Sequence, residues 1–230
     1  MSDYFFVEKK FIFRNHLIID ENELHHLKNV LRKEISEIIF VVDGIGNCYE
    51  AKILSYTKLN CECEIISIQK NFSEPKNDLT LAVGMLKNSS KFDFIVEKAT
   101  ELGIKKIIPM ITKNTITKFA KTERWNKIAL ASMKQCGRGF LPIVEEAKEI
   151  KKIILDSMHY EKKLIPYEFE NENKEIKIQN SGIILIGSEG GFTKEEIKFA
   201  IENKFETISL GNRRLRTETA AIVSCAKFVE

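Results

Sequence analysis

Histidine is scarce in this 230-residue chain: there are four, and two of them are adjacent at His25-His26. Neighbours on a helix point in different directions, so that pair does not make a metal-binding face. Cys61 and Cys63 would share one side of a strand, yet no second pair completes a tetrahedral set, and no metal is expected. The five cysteines are odd in number and show no disulfide-type regularity, which points to reduced thiols and a cytoplasmic protein. No apolar run approaches the length of a membrane span. The start, Met1-Ser2-Asp3-Tyr4-Phe5-Phe6, lacks a basic segment followed by a long apolar run, so no signal peptide is expected. An excess of one charge is lacking too: 36 basic and 33 acidic side chains leave a net +3. That balance permits RNA binding without demanding it, so a case for RNA rests on clustering.

Hydrophobic residues make up 43% of the chain, enough for one large domain or two small ones. Residues 1–72 read as a small β-rich unit. Phe5-Phe6-Val7, Phe11-Ile12-Phe13, Ile38 to Val42, Tyr49 to Ile53 and Cys61 to Ile65 are its strand candidates. Asp43-Gly44-Ile45-Gly46-Asn47 has hairpin-turn chemistry. One helix, capped by Asp20 with Glu23 three residues on, carries Leu24, Leu27, Val30 and Leu31 at helical spacing. Several short strands and one helix suggest a small barrel.

The polar stretch Asn71 to Asp78, with Pro75, marks a boundary. Residues 73–230 then alternate strands with helices. Strands are expected over Leu79–Val83, Ile104–Ile111 (broken late by Pro109), Leu164–Ile165, Ile183–Ile186 and Thr207–Leu210. Helices are expected over Lys91–Leu102, Glu123–Cys136, Lys151–Met158, Thr193–Asn203 and Thr217–Phe228. This rhythm predicts an α/β domain with a mostly parallel sheet and helices on both faces. The charged, Asn-rich stretch Glu168 to Lys177 reads as a solvated loop.

Two glycine-bearing turns organise the second domain. Gly187-Ser188-Glu189-Gly190-Gly191 follows the apolar run Ile183–Ile186, and Thr193 with Glu196 forms a capping box for the next helix. Leu210-Gly211-Asn212-Arg213-Arg214-Leu215-Arg216 follows the second run and precedes Thr217-Glu218-Thr219-Ala220. Taken singly, each turn is either an ordinary strand–helix connection or part of a ligand site. A phosphate cradle fits poorly, because no Lys-Ser/Thr follows the glycines and Glu189 would repel phosphate. A ligand with a cationic part or hydroxyl donors fits better.

Other segments carry polar groups with two readings each. Arg213, Arg214 and Arg216 form the densest basic cluster, either on an RNA phosphate or a carboxylate, or on a solvated loop. Gln135-Cys136-Gly137-Arg138 ends a helix, either as a cap with a dipole-matched arginine or as a mobile loop that brings a guanidinium to a substrate. Lys87-Asn88-Ser89-Ser90-Lys91 follows the carboxyl end of a strand, where open α/β sheets bind ligands. Lys113, Lys118, Lys121 and Arg124 could extend a basic surface or simply face solvent. Gly187-Ser188-Glu189-Gly190 is not a nucleophile elbow, so serine hydrolysis is not expected.

Taken together, these stretches resemble the ribosomal RNA small-subunit methyltransferase E family of the SPOUT superfamily. Phe5-Phe6-Val7, His25-His26-Leu27 with Val30-Leu31-Arg32, and Asp43-Gly44 look like its N-terminal domain. Lys98 to Gly103, Gln135 to Arg138, Ile186 to Phe192 and Leu210 to Ala220 look like its catalytic domain. The resemblance implies an S-adenosylmethionine-dependent enzyme that methylates N3 of a uridine in small-subunit (16S) ribosomal RNA, more readily in the assembled subunit. It implies a PUA-like RNA-binding β-barrel over residues 1–72, and a catalytic domain with a C-terminal trefoil knot over residues 73–230. It also implies a homodimer.

On this resemblance the cofactor would be held by Ile186, Gly187, Glu189, Gly190, Gly191, Leu210, Gly211, Leu215, Arg216 and Thr219. Uracil N3 carries a proton and is a poor nucleophile until it leaves, so the site needs a base or a cation that stabilises the uracil anion. Arg138 is the first candidate for that cation and Arg216 the second. Glu189 and Glu218 are either bases or structural anchors. Arg32, Lys87, Lys91, Arg138, Arg213 and Arg214 are candidates for RNA contact. The chain departs from the family where Ser36-Glu37 replaces a common Gly-Asp and Asn114-Thr115 a common Arg-Ser. It departs again at Asn212 and Arg214, which replace a proline and an aliphatic residue. Competing readings are a knotted methyltransferase acting on transfer RNA or a ribose hydroxyl, and a non-catalytic assembly factor.

Overall fold

The structure is a computed structural model and describes residues 3–117, 119–167 and 177–230. Met1, Ser2, Lys118 and residues 168–176 of the expected solvated loop lie outside the described residues. The chain divides into two compact units, one formed by Met1–Glu74 with Leu130–Leu141, the other by Pro75–Ala129 with Pro142–Glu230.

In the first unit, strands β1 (Tyr4–Phe6), β2 (His16–Ile19), β3 (Ile38–Val42), β4 (Asn47–Tyr56) and β5 (Cys61–Lys70) form a sheet in the order β1-β3-β4-β5-β2. Only β1 with β3 is parallel. Period-two alternation aims Leu17 and Ile19 of β2, and Cys61 and Cys63 of β5, into one core with Phe5, Leu27, Ile39 and Ile53. The expected strand Phe11–Phe13 is a correction. Residues Lys9–Phe11 form a 3-10 turn, Ile12 makes a single antiparallel bridge to Leu17, and the strand is His16–Ile19 instead. The helix after Asp20 also differs. It begins as α1 (Glu21–His25) and continues as a π-helical turn over His26–Val30, so the helical spacing there is looser than 3.6.

The β3–β4 turn is built by Asp43. Its Oδ1 accepts from the Ile45 and Asn47 backbone N–H groups at 2.9 and 3.0 Å, and its Oδ2 from Asn47 Nδ2 and the Tyr49 hydroxyl. Burial and this carboxylate push the Tyr49 phenol up to about 12.

In the second unit, the elements in chain order are β6 (Asp78–Gly84), α2 (Ser89–Glu101), β7 (Lys106–Ile111), α3 (Thr122–Cys136), β8 (Ile143–Val144), β9 (Lys148–Glu149) and α4 (Ile150–Asp156). They continue as β10 (Lys162–Pro166), β11 (Ser181–Ile186), α5 (Lys194–Glu202), β12 (Glu206–Ile208) and α6 (Thr217–Phe228). Helix α3 starts in this unit and its last residues belong to the first.

The described strands make one wholly parallel sheet in the order β12-β10-β11-β6-β7-β8, with β9 also on β7. Alternate residues of the sheet, among them Ala82, Ile108, Ile183 and Leu185, pack with Ile153 and Ile154 of α4 and Ile197 and Ala200 of α5. Helix α6 packs on β6, β11 and α2. Burial on both faces is why these strands read as continuous apolar runs. β7 is not broken at Pro109. The Met110 carbonyl accepts from Met85 on the β6 side, so Pro109 faces the other edge, where pairing passes from β8 to β9 and no N–H is needed.

Candidate active site

The carboxyl ends of β10, β11 and β12 surround a cavity of about 760 Å³. Both glycine turns form its walls. Ile186 to Phe192 leave β11 and enter α5 through Thr193, whose hydroxyl accepts from Glu196 N–H while the Glu196 carboxylate accepts from Thr193 N–H. Leu210 to Arg216 follow β12 and enter α6, whose first turn adds Thr217, Glu218 and Ala220.

The first turn is braced from two sides. A Cβ at Gly84, the last residue of β6, would overlap the Ser188 backbone nitrogen and lie 2.8 Å from Ser188 Cα. Only glycine lets the two backbones come this close. Asn114 Nδ2 donates to the Gly190 carbonyl at 2.9 Å, so this side chain holds the turn directly. Glu189 Oε1 accepts from Lys87 N–H at 3.2 Å, which ties the turn to the loop after β6.

Charge in the cavity is mixed. Lys91 Nζ lies 3.0 Å from Glu218 Oε1, and both residues line the space with Glu189, Arg213, Arg214 and Arg216. Burial alone would raise the Glu218 carboxyl. Its own backbone N–H at the start of α6, Lys91 and Arg216 outweigh that and hold it below the ordinary 4.5.

Of the residues expected to hold a cofactor, Ile186, Gly187, Glu189, Gly190, Gly191, Leu210, Gly211, Leu215 and Arg216 line this cavity. Thr219 does not; it is exposed on α6. Sequence reasoning missed Pro166, Tyr167, Ser188, Lys194 and Ser209 of the lining, and Gly84 behind it. A glycine ending an apolar strand was the available signal for Gly84.

Arg138 is not on a mobile loop. It is 2% exposed in the first unit, where its Nη2 lies 2.7 Å from Glu74 Oε2 and its Nε donates to Glu74 Oε1. Glu74 Oε1 also accepts from Phe140 N–H at 2.9 Å, so the pair fixes the chain just after α3. Arg138 is not among the residues lining the cavity.

Arg32 is exposed in the first unit, with φ +52. Lys87 is exposed beside a second, smaller cavity. Arg124 is paired with Asp93 at 2.8 Å, and Lys121 Nζ donates to Ser89 Oγ. Among the described residues, no group of three or more His, Cys, Asp and Glu could hold a metal ion, and no helix is long and apolar enough to cross a membrane.

The RNA methyltransferase domain family matches residues 73–229, and the RNA methyltransferase PUA domain family matches residues 19–66. The chain is therefore of the class that joins a PUA domain to an RNA methyltransferase domain. A ribosomal RNA small subunit methyltransferase E of Mesomycoplasma hyopneumoniae is 34% identical, with 98% of each chain covered. Its counterpart in Rickettsia conorii is 32% identical over 91% of this chain and 87% of that one. The crystal structure of the Neisseria gonorrhoeae protein of the same name, bound to S-adenosyl methionine, is 29% identical and superimposes with a TM-score of 0.87, covering 98% of this chain and 96% of that one. The chain belongs to the ribosomal RNA small subunit methyltransferase E family.

Proposed function

We propose that the protein transfers a methyl group from S-adenosylmethionine to N3 of a uridine in the 16S RNA of the small ribosomal subunit. The observation that carries this reading is the large cavity formed by the two glycine turns in a chain of this family.

The cavity suits the cofactor on its own terms. Its volume falls within the range of pockets for small molecules. Ser188 Oγ and Glu218 Oε2 on its walls are buried and have no hydrogen-bond partner among the described residues, as groups that await a ligand's donors would be. Gly191 and Gly211 take φ +64 and +110, and a Cβ on either would meet nothing within 4 Å, so the turns present bare backbone to open space. Bound there, S-adenosylmethionine supplies an electrophilic methyl group on a sulfonium.

The protein's own part is to bind, orient and stabilise charge. Ile186, Leu210 and Leu215 are the apolar walls for a flat adenine, and the backbone of Gly187, Gly190, Gly191 and Gly211 permits its close approach. Glu189 and Glu218 favour a cationic group. As the N3 proton passes to solvent, negative charge spreads over the uracil carbonyl oxygens, and Lys91 and Arg216, both on the cavity wall, are the cations that stabilise it. Arg138 then acts as a positioning residue that fixes its own loop against Glu74. Arg213 and Arg214, exposed at the rim, meet RNA phosphate, as do Arg32 and Lys87.

The finer architecture belongs to the same reading. The order β12-β10-β11-β6, with α6 returning onto β6 and β11, supports a chain end threaded as a trefoil knot. The five-stranded sheet with its bulged β4–β5 pair supports a PUA-like barrel that grips RNA. We also propose a cytoplasmic homodimer that acts on the assembled subunit.

The test is transfer of labelled methyl groups to purified small subunits and to naked 16S RNA. Label on the subunits in preference to the RNA is expected. Calorimetric titration with S-adenosylmethionine separates the rival: a non-catalytic assembly factor would show no heat of binding.

A further inference from the structure

The second unit holds another cavity, of about 190 Å³, that the reading above leaves unused. Its floor is apolar and buried. Phe92 and Trp125, each 1% exposed, stack with ring centroids 4.1 Å apart, and Trp125 Nε1 donates to Asp93 Oδ1 at 3.1 Å. Its rim is different in kind. Phe119 stands 76% exposed, and Lys87 and Lys121 are exposed beside it. The volume is several times the roughly 30 Å³ share of one water, and below the 300 Å³ or so at which cofactor pockets begin. That is room for one planar ring.

The first turn of α2 is the wall between the two cavities. Ser89 and Phe92 line the small one and Lys91 the large one, while Lys87 N–H donates to Glu189 of the first glycine turn. An extended polyanion that enters the large cavity therefore passes Lys91 and Lys87 on its way across this wall.

We propose that the small cavity receives a nucleobase of the substrate RNA adjacent to the methylated one, stacked on Phe119, with Lys87 and Lys121 on the flanking phosphates. The inference rests on the reading that the substrate is RNA. An exposed aromatic ring on the same cavity as two exposed lysines matches the chemistry of single-stranded RNA, which offers a π-face and a phosphate at every step. Such stacking is tolerant of sequence, so the subsite sets the path and register of the strand and leaves the choice of target to other contacts. Phe119 is then a positioning residue.

Trp125 is the sole tryptophan of the chain, which makes the floor of the cavity a reporter. The full protein is titrated with a six-nucleotide oligouridylate while Trp125 fluorescence is followed. Saturable quenching is expected in the wild type and in Phe119→Tyr, weakened roughly ten- to a hundredfold in Phe119→Ala. With small subunits as substrate, Phe119→Ala raises KM for RNA by a similar factor and leaves kcat, S-adenosylmethionine affinity and solution mass unchanged. Quenching without any methyl transfer leaves this inference standing and removes the functional reading beneath it. Absent quenching, or equal quenching in Phe119→Ala, overturns the inference. So does a change of solution mass in that variant, which would assign the face to a second copy of the chain.

Discussion

Lys91 and Glu218 meet at 3.0 Å on the wall of the large cavity, one from the first turn of α2 and the other from the first turn of α6. The pair ties together two helices whose starts both face the site. It also holds an ammonium group on the wall of the cavity. Replacing Lys91 by Met removes that cation, and kcat is expected to fall by about a hundred- to a thousandfold, as for loss of one oxyanion donor. Lys91→Arg retains most of the rate. Single-turnover methyl transfer at saturating cofactor measures both.

The same pair sets a pH dependence with a definite sign. The folded-state carboxyl of Glu218 lies below its ordinary 4.5. Its contribution is present above the unfolded value and is lost as pH falls through the lower folded value. Glu218→Gln should therefore lower stability at neutral pH and flatten the acid limb of the stability profile below about pH 4.5, where the carboxylate no longer contributes. Urea midpoints between pH 3 and pH 7 check this.

Arg138 and Glu74 are each 3% exposed at the side chain. Removing one partner leaves a buried charge uncompensated, and Arg138→Ala is expected to cost about 3–5 kcal/mol of stability. If Arg138 only positions its loop, its loss raises the denaturant sensitivity of the fold more than it lowers kcat in the surviving native fraction. A native-like midpoint with abolished turnover would return Arg138 to the chemistry.

Gly84 and Gly191 separate two ways a glycine can matter. Gly84→Ala drives a methyl into the Ser188 backbone, so the first turn must move, and S-adenosylmethionine affinity should fall at least tenfold. Gly191→Ala meets no neighbour in the protein, so its cost to the fold is the strain of a left-handed φ, about 1–2 kcal/mol, while its methyl group stands in the space taken by the cofactor. Calorimetry on both variants, beside their melting curves, distinguishes the two cases.

Four of the five thiols, Cys48, Cys61, Cys63 and Cys225, are buried, and only Cys136 is exposed. Burial pushes the Cys48 thiol up to about 11, with Asp43 adding to it, and Cys225 up to about 12. One thiol per chain is expected to react rapidly with an aromatic disulfide reagent at neutral pH, and the rest only on unfolding.

Local signals in the sequence carried the parts of the site made by consecutive residues. The Thr193–Glu196 capping box, the apolar run before Gly187 and the helix opened at Thr217 all stand where period and capping chemistry put them. Contacts between distant residues were not legible. Asn114 holds Gly190 across 76 residues, and Glu74 finds Arg138 across 64. Neither distance leaves a periodic trace, so Asn114 read as a lost arginine, and Arg138 read either as a helix cap or as a guanidinium on a mobile loop. Phe11 to Phe13 misled for a related reason: an apolar triplet fits a strand or a turn equally, and pairing with Leu17 decided it.

The most direct measurement is a mass-spectrometric map of modified nucleotides in 16S RNA from cells with and without this gene. The account predicts one N3-methyluridine that disappears on deletion and returns with the wild-type chain but not with Lys91→Met. An unchanged set of modified uridines, or loss of a ribose-methylated or transfer-RNA nucleotide instead, would contradict it.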